Sequence, residues 1–280
     1  MIPFININGK KIGTKYPPYI IAEMSANHNG SIDNAFKIIE MASDSGADAV
    51  KIQTYRPDTI TIDMNTPEFM INGGLWDGQS LFELYNSAFM PWEWHKPLFE
   101  YSKKLGITIF SSPFDNTAVD LLEDLNTPAY KIASFEAVDL PLIKYVAQTG
   151  KPMIISTGMA SEAEIHEAVD VARGAGCREL ILLKCTSTYP ASPENRNVLT
   201  IPHMRELFGC EVGLSDHTMG IGASIAAVAH GATVIEKHFT LSRADGGVDS
   251  AFSLEPDELQ SLMIETERAW RSLGSVVYGG

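Results

Sequence analysis

Apolar and polar positions follow one another along the chain in eight short apolar runs, and each run is followed by a stretch with helical spacing. The runs cover residues 19–23, 49–53, 107–111, 129–132, 153–156, 180–184, 212–215 and 233–238. Strands that alternate with helices pair in parallel. Eight such units predict an α/β fold, the (β/α)8 or TIM barrel.

The length of the chain agrees with one such domain. Its 280 residues are 45% hydrophobic, and this barrel typically needs about 250 residues. Residues 1–18 are predicted to form a short β-hairpin against the N-terminal mouth, and residues 19–280 the barrel. The last helix is expected from Pro256 to about Leu273.

One connection is much longer than the others. It runs from Arg56 to about Trp94 and contains the sequence GGLWDG at 73–78 and a helix-like piece at 81–88. A loop of this length inside a compact domain is usually functional. We expect it to be a lid or a subunit contact at the catalytic mouth.

Composition excludes several classes of partner and site. A net charge of −14 without a basic run argues against nucleic acid or anionic membrane as a partner. The three cysteines have no CxxC spacing, so free thiols are expected rather than disulfides or a zinc site. No apolar segment approaches the roughly 18 residues of a membrane span, and no basic-then-apolar leader is present. The expected location is the cytoplasm.

Reactive side chains close every predicted strand, which is where TIM barrels carry their chemistry. They are Glu23, Lys51 with Gln53, Ser111 with Ser112, Lys131 with Ser134, Ser156 with Thr157, Lys184 with Ser187, Ser215 with His217, and Lys237 with His238. Packing alone does not account for such a set. We therefore predict an active site at this end of the barrel.

Lysines near the ends of the even-numbered strands are candidates for binding one anion. They are Lys51, Lys131, Lys184 and Lys237. Any one of them could instead extend its aliphatic stem along the rim, and the case for Lys237 is weakest because its neighbour His238 must face the other side of the strand. Ser112, Ser134 and Ser156 lie where a strand leads into a helix. They could bind phosphate there or serve only as helix caps.

Two histidines close the seventh and eighth predicted strands. His217 and His238 should therefore be neighbours, and together with Glu23 at the end of the first strand they predict a divalent-metal site with open positions. His28 follows the first strand and is expected either to be structural or to orient Glu23 or the substrate. The other four, His95, His166, His203 and His230, are expected to be structural.

At this point a family resemblance appears in motifs spread over every strand. The segments are IIAEMSANHNG, GADAVKIQTY, FSSPFD, YKIASFE, ISTGMA, KCTSTYP, GLSDHT, IEKHFTL and GGVDSAFSLEP. They resemble the sialic acid synthase family, the phosphoenolpyruvate-dependent synthases of nonulosonic acids, from about Tyr19 to the C-terminus. GGLWDG, the WEWH that follows it, and SFE in place of the usual SGE are more similar to the pseudaminic acid branch than to the N-acetylneuraminate or legionaminate branches.

The resemblance implies a transferase that joins phosphoenolpyruvate to an open-chain N-acetylated amino sugar and water, releasing phosphate and a nine-carbon 2-keto acid. In the pseudaminic acid branch the sugar is 2,4-diacetamido-2,4,6-trideoxy-L-altrose. The resemblance also implies that His217 and His238 hold a divalent ion, Mn²⁺ or else Mg²⁺ or Co²⁺, that polarises the sugar aldehyde.

Other residue roles are carried over from the family motifs. The implied phosphoenolpyruvate contacts are Lys51, Ser112, Lys131, Ser134, Ser156 and Ser187, of which Ser187 replaces the usual asparagine. The implied sugar contacts are Gln53, Phe135, Tyr189 and Asp249. Catalysis would fall to Glu23, Glu136, His217 and His238, with Glu23 or Glu136 managing protons. Phe135 stands where the sialate branch has a small residue, so we expect it to favour a 6-deoxy diacetamido sugar.

The resemblance further implies a homodimer in which a C-terminal antifreeze-like domain supplies an arginine to the partner's site. The sequence reaches Gly280 just after the predicted last helix, so this domain is expected to be absent, and the barrel alone is expected to bind sugar poorly. Two alternatives stay open. One is a Schiff-base aldolase that uses an interior lysine, and the other is a non-catalytic phosphoenolpyruvate-binding barrel.

Overall fold

Eight parallel strands close into a barrel in the computed structural model, which describes residues 4–278. The barrel strands are β3 (Tyr19–Glu23), β4 (Ala49–Thr54), β5 (Thr108–Pro113), β6 (Tyr130–Ile132), β7 (Met153–Ser156), β8 (Leu180–Lys184), β9 (Glu211–Asp216) and β10 (Val234–His238). They pair in chain order, and β10 pairs with β3. The predicted barrel is confirmed, although β5 extends two residues beyond the predicted 111 because its pairing with β4 continues to Pro113.

Helices surround the barrel. They are α1 (Ile32–Asp44), α2 (Pro57–Ile60), α3 (Leu81–Ala88), α4 (Trp92–Leu105), α5 (Asn116–Asp124), α6 (Leu140–Ala147), α7 (Glu162–Gly174), α8 (Thr200–Phe208), α9 (Gly222–Ala229) and α10 (Pro256–Ser272). The helix predicted at 81–88 is confirmed, and the last helix ends one residue before the expected position. Among the described residues, no helix is long and apolar enough to cross a bilayer.

A β-hairpin covers the N-terminal mouth, as predicted. Its strands are β1 (Ile5–Ile7) and β2 (Lys10–Ile12). Ile5, Ile7 and Ile12 are buried in one cluster with apolar residues of the barrel interior. The division of the chain into residues 1–18 and 19–280 stays a prediction, and residues 1–3 and 279–280 lie outside the described residues.

Side-chain alternation along the strands divides the core into two clusters. An inner cluster fills the barrel near the hairpin, and a larger outer cluster lies between the strands and the helices. On β8, for example, Ile181 and Leu183 belong to the inner cluster and Leu182 to the outer one. Toward the C-terminal ends of the strands the inward positions become polar, and this change marks the candidate site.

Candidate active site

Polar side chains from neighbouring strands meet inside the C-terminal mouth. Lys51 pairs with Glu23 on the adjacent strand at 2.6 Å and donates a hydrogen bond to Ser112 on the other side at 3.2 Å. Gln53 also donates to Glu23, at 3.0 Å. All of these side chains come from β3, β4 and β5, whose register places them at one level. The structure therefore brings Glu23, Lys51, Gln53 and Ser112 together at the mouth.

Glu236 joins the two interior lysines. Its carboxylate lies 3.4 Å from the Lys131 amine and 3.9 Å from the Lys51 amine, and it accepts a hydrogen bond from Ser215 at 3.3 Å. The two ammonium groups and the carboxylates of Glu23 and Glu236 are therefore packed into one buried group. Two buried cations are balanced by two buried anions.

Burial and pairing act in opposite directions on these charges. Burial alone would lower the pKa of Lys51, but the carboxylates of Glu23 and Glu236 outweigh it, so the pKa is raised. Burial dominates at Lys131 and lowers the pKa of its amine. It also dominates at Glu23 and raises the pKa of that carboxyl. Burial opposes ionisation of Glu236 too, but the two lysines prevail and hold its pKa below the ordinary value. Glu23 is thus the carboxyl in this group that takes up a proton more readily.

The two predicted histidines are neighbours. The ring centroids of His217 and His238 are 5.4 Å apart, and the Thr186 carbonyl lies 3.1 Å from His217 Nδ1. A donor bond from Nδ1 to a carbonyl leaves Nε2 as the ligating nitrogen. Burial lowers the pKa of His238 well below its ordinary value, so its ring is neutral. His238 Nδ1 is buried without a hydrogen-bond partner.

These imidazoles fit a divalent ion with two protein ligands and open positions for substrate oxygens. In residues 4–278 no three His, Cys, Asp or Glu side chains are arranged to hold a metal. The trio predicted with Glu23 is therefore not formed, because the Glu23 carboxylate is bound by Lys51 and Gln53. Asp249 lies nearest to His238, with Oδ2 at 3.9 Å from Nδ1.

A cavity of ≈ 380 Å³ lies above this polar layer. Its polar lining includes the predicted residues Gln53, Glu136, Ser187, Tyr189, His238 and Asp249, together with Ser25. Much of the remaining lining is apolar and aromatic, and Phe135 belongs to it. Tyr189 also packs on His217, with ring centroids 4.4 Å apart. An apolar pocket with a few placed polar groups is typical of a small-molecule site.

Glu136 and Phe135 come from the turn that follows β6, a 3-10 segment at Phe135–Val138. Burial raises the pKa of Glu136 to about 7, and its Oε2 has no hydrogen-bond partner. Phe135 remains 57% exposed although it lines the cavity. The pair therefore presents a group that exchanges protons near neutral pH beside an uncovered apolar ring.

The loop serines surround a glycine that leaves room for them. Ser134 Oγ accepts a hydrogen bond from the Gly158 amide at 3.1 Å. A Cβ at Gly158 would lie 2.4 Å from Ser187 Oγ and 2.8 Å from Ser134 Oγ. Ser156 Oγ is buried and has no partner. Ser134 and Ser187 thus meet at Gly158, Ser156 lies two residues before that glycine, and Ser112 lies with Lys51.

Two of the four predicted lysines do not reach the site. Lys184 follows the inward Leu183 and points out of the barrel, where its amine donates to the Cys185 carbonyl at 2.7 Å. Lys237 precedes the inward His238 and pairs with Asp216 at 3.1 Å. Of the four candidate lysines, only Lys51 and Lys131 therefore point into the barrel, because alternation along β8 and β10 places Lys184 and Lys237 on the outer face.

Sequence reasoning missed two inward residues. Glu236 is two positions before His238, so alternation alone would have placed both on the same face. Cys185 lies two positions after the inward Leu183 and therefore also points inward. Its thiol is 4.0 Å from Ser187 Oγ. Burial would raise the pKa of this thiol, but His217, with Ser134 and Lys131, lowers it to about 6.

The remaining buried histidines on this side are structural in their contacts. His95 on α4 lies 2.8 Å from Thr54 Oγ1, and burial lowers its pKa to about 4. His28 accepts a hydrogen bond from the Gly30 amide at 3.1 Å and packs against Trp94. These contacts favour the structural alternative for His28 over a role in orienting Glu23.

The long connection covers one side of the cavity. We call residues 57–90 the lid, which contains α2, a 3-10 turn at Pro67–Phe69, and α3. Its cavity-lining side chains are mostly apolar: Ile60, Ile71, Trp76, Leu81, Leu84, Tyr85 and Ala88. Of the two predicted roles, this position supports the lid, and the subunit contact stays a prediction.

Comparison with known proteins gives a consistent result. A model described as the NeuB family matches residues 38–278. A pseudaminic acid synthase from Campylobacter jejuni is 46% identical over 256 residues, which are 91% of this chain and 75% of that protein. An N,N'-diacetyllegionaminic acid synthase from the same species is 40% identical over 258 residues, 91% of this chain and 77% of that protein.

A solved structure agrees over nearly the whole chain. It is an N-acetylneuraminic acid (sialic acid) synthetase from Leptospira borgpetersenii in complex with citrate, with a TM-score of 0.89 and 32% identity. The match covers 99% of this chain and 92% of that one. The whole barrel, including the mouth that carries the polar layer, is therefore shared with that protein.

Proposed function

This chain belongs to the NeuB family, and we propose that it is a pseudaminic acid synthase. The reaction joins phosphoenolpyruvate, 2,4-diacetamido-2,4,6-trideoxy-L-altrose and water, and it yields pseudaminate and phosphate. Identity to a pseudaminic acid synthase, 46%, exceeds identity to a legionaminic acid synthase, 40%. The pseudaminate-like motifs GGLWDG and SFE support the same branch.

One observation carries the proposal: a buried lysine pair lies beside an imidazole pair at the base of an apolar cavity. Lys51 and Lys131 supply positive charge to a small, strongly anionic substrate. His217 and His238 lie at the same mouth, and the cavity above them accepts a second, amphipathic substrate. This arrangement suits the joining of an anion to a sugar.

Phosphoenolpyruvate would take the place of Glu23 and Glu236 as the anionic partner of Lys51 and Lys131. We assign its phosphate and carboxylate to Lys51 and Lys131, with hydroxyl donors from Ser112, Ser134, Ser156 and Ser187. The orphaned Ser156 hydroxyl would gain an acceptor on binding, which favours the bound state. Because the entering substrate adds negative charge beside Glu23 and Glu236, a proton on Glu23 reduces the repulsion.

The sugar would occupy the cavity. Gln53, Glu136, Tyr189 and Asp249 offer polar contacts, and Phe135 offers an apolar wall to the 6-deoxy end. Phe135→Gly is expected to weaken the preference for the 6-deoxy diacetamido sugar over N-acetylmannosamine. Unchanged relative kcat/KM values for the two sugars would contradict this role for Phe135.

Bond formation occurs between C3 of phosphoenolpyruvate and the aldehyde carbon, after which water adds at C2 and the C2–O bond to phosphate breaks. A divalent ion held by His217 and His238, such as Mn²⁺, would supply Lewis-acid polarisation of the aldehyde. Glu136, with a pKa of about 7, would deliver the proton that the aldehyde oxygen takes up. The carboxylate of Glu236, whose pKa the two lysines hold below its ordinary value, would stabilise positive charge that develops at C2.

Phosphate release tests the proposal. The protein is incubated with phosphoenolpyruvate, Mn²⁺ and either the altrose sugar or N-acetylmannosamine, with and without a chelator. We expect release that requires the altrose sugar and stops on chelation. Release with N-acetylmannosamine alone would contradict the branch assignment, and binding of phosphoenolpyruvate without turnover would favour the non-catalytic barrel.

A Schiff-base aldolase predicts a different result. Such an enzyme would work with chelator present and would be trapped by borohydride on one lysine. In the structure both interior amines are engaged with carboxylates, which opposes a free nucleophilic lysine. Mass spectrometry after borohydride treatment with substrate should therefore show no adduct at Lys51 or Lys131.

A further inference from the structure

The tip of the lid is a tight turn built to hold one aromatic side chain over the cavity. Its base is closed by two backbone hydrogen bonds, from Ile71 N to Gln79 O at 2.9 Å and from Gly78 N to Ile71 O at 2.9 Å. Gly73 has φ of +82°, a conformation that residues with a Cβ rarely adopt. Trp76 lies at the far end of this turn.

Trp76 differs from its neighbour Leu75 in exposure and in contact with the cavity. Leu75 is 50% exposed and does not line the cavity, whereas Trp76 is half-buried and does. The indole Nε1 donates a hydrogen bond to the Val248 carbonyl at 3.2 Å. Among the described residues, it is the one hydrogen bond that residues 71–79 make outside the lid.

That bond joins two loops across the mouth. The lid follows β4, and Val248 belongs to the connection after β10, so the bond passes over the end of β3, which lies between them. Val248 directly precedes Asp249, which lines the cavity. The Trp76 ring also lies 6.0 Å from Tyr189, measured between centroids. The indole therefore contacts the loop beside Asp249 and the Tyr189 wall of the same cavity.

We propose that Trp76 is a binding residue for the sugar: its ring covers the sugar, while its NH holds the lid to Val248. This inference rests on the proposed function, because it concerns the sugar of that same reaction. Aromatic faces pack well against apolar surface, and in a 2,4-diacetamido-2,4,6-trideoxy sugar the acetyl groups and C6 present methyl groups for such packing, while hydroxyls remain at C3 and C5. The polar side of the sugar is left for Glu136 and Asp249.

Three variants separate the ring, the bond and the turn. Trp76→Ala removes both ring and bond, and we expect the KM for the sugar to rise at least tenfold while the KM for phosphoenolpyruvate stays within twofold. Trp76→Phe keeps an aromatic ring but loses the donor, so an intermediate rise is expected. Leu75→Ala alters the same turn without touching the cavity and should leave both KM values unchanged.

Fluorescence supplies a readout independent of turnover. In the wild type, adding the sugar in the presence of phosphoenolpyruvate should change the tryptophan emission, and Trp76→Phe should abolish that change. Phosphoenolpyruvate alone should have the same effect on both proteins. A sugar KM within twofold of wild type in both Trp76 variants, or an equal rise in the KM for phosphoenolpyruvate, would overturn the inference.

The two proposals fail in distinguishable ways. If wild-type protein releases no phosphate with any amino sugar and shows no fluorescence response to sugar, the proposed function fails, and this inference with it. If wild type turns over the altrose sugar and the Trp76 variants do so with unchanged KM, only the inference about Trp76 fails. Far-UV circular dichroism of each variant shows that the comparison is made between folded proteins.

Discussion

Polar side chains lie on both faces of the barrel strands at the C-terminal mouth, but they differ in whether they have hydrogen-bond partners within the protein. On the outer face Lys237 has an acidic partner in Asp216 and also donates to the Thr218 carbonyl at 2.7 Å. On the inner face Glu236 Oε2, Ser156 Oγ and His238 Nδ1 are buried without partners. Unpaired buried polar groups cost stability, so they persist where a ligand can pair with them.

The serines at 111 and 112 show the same difference within one strand. Ser111 points outward, where Thr54 Oγ1 lies 2.6 Å away and the Ile52 carbonyl accepts a bond at 3.1 Å. Ser112 points inward to Lys51. Arg196, in the connection after β8, differs from these paired outer groups. Its Nη1 lies 3.7 Å from Asp216, but its Nε is buried without a hydrogen-bond partner. The face of the strand, rather than the residue type, decides whether a strand-end side chain packs outside the barrel or points into the candidate site.

The largest expected effect separates two lysines. Lys131→Met should lower kcat/KM by about 10³-fold, in the range of losing one preorganised electrostatic group. It should also cost folding free energy, because it leaves the buried Glu236 carboxylate with only the more distant Lys51. Lys237→Met leaves the buried Asp216 carboxylate with the more distant Arg196 as its cation and should cost about 3 kcal/mol of folding free energy. The activity per folded molecule should not change. Urea unfolding and phosphate release measure both. Equal activity losses in the two variants would contradict the different roles of the inner-face and outer-face lysines.

Glu236→Gln tests an inner residue that sequence reasoning missed. The change keeps the shape but removes the negative charge shared by Lys51 and Lys131. We expect kcat to fall by about 10²-fold, the scale of a single electrostatic contribution, while phosphoenolpyruvate binds no more weakly because repulsion is relieved. Calorimetric titration with phosphoenolpyruvate would contradict the assignment if affinity fell in parallel with kcat.

Ser112→Ala and Ser111→Ala form a matched pair on adjacent positions. Ser112→Ala should raise the KM for phosphoenolpyruvate about tenfold, the equivalent of one hydrogen bond to a charged group. Its loss of Tm should be small, because Lys51 keeps its ion pair with Glu23. Ser111→Ala removes a partner from buried Thr54 and should cost about 1–2 kcal/mol of stability at unchanged KM. Interchanged outcomes would show that the inward assignment of Ser112 is wrong.

The smallest expected effect is a pH dependence of stability from Glu136. Burial raises its pKa in the folded protein from 4.5 to about 7, so the folded state holds the proton longer than the unfolded chain. Stability from this group is therefore lost as pH rises between these two values. Glu136→Gln should match the wild type near pH 4 and exceed it by up to about 3 kcal/mol at pH 8. Parallel stability curves for the two proteins would contradict the raised pKa.

Alternation explains how far the sequence could predict the site. The barrel, the hairpin and the helix at 81–88 follow from apolar periodicity, and the position of His238 implies that Lys237 faces outward. Because Glu236 lies two residues before His238, the same alternation predicts that Glu236 faces inward. The partners of Lys184 could not be predicted, because they depend on how the chain turns after β8.

Other features depend on contacts between segments far apart in the chain. The bond from Trp76 to Val248 joins residues 172 positions apart, and no local pattern specifies it. Strand register places Glu23 beside Lys51 on one side and beside His238 on the other, and only the side-chain geometry shows that its carboxylate pairs with Lys51. Motif resemblance could name Glu23 as functional, but only the folded geometry could say which groups it touches.

A crystal structure with phosphoenolpyruvate and Mn²⁺ would show which face of the barrel strands binds ligand. We predict the phosphate and carboxylate of phosphoenolpyruvate between Lys51 and Lys131, with the ion on His217 and His238. Phosphoenolpyruvate bound instead at Lys184 on the outer face, with the inner carboxylates still pairing both lysines, would contradict the account.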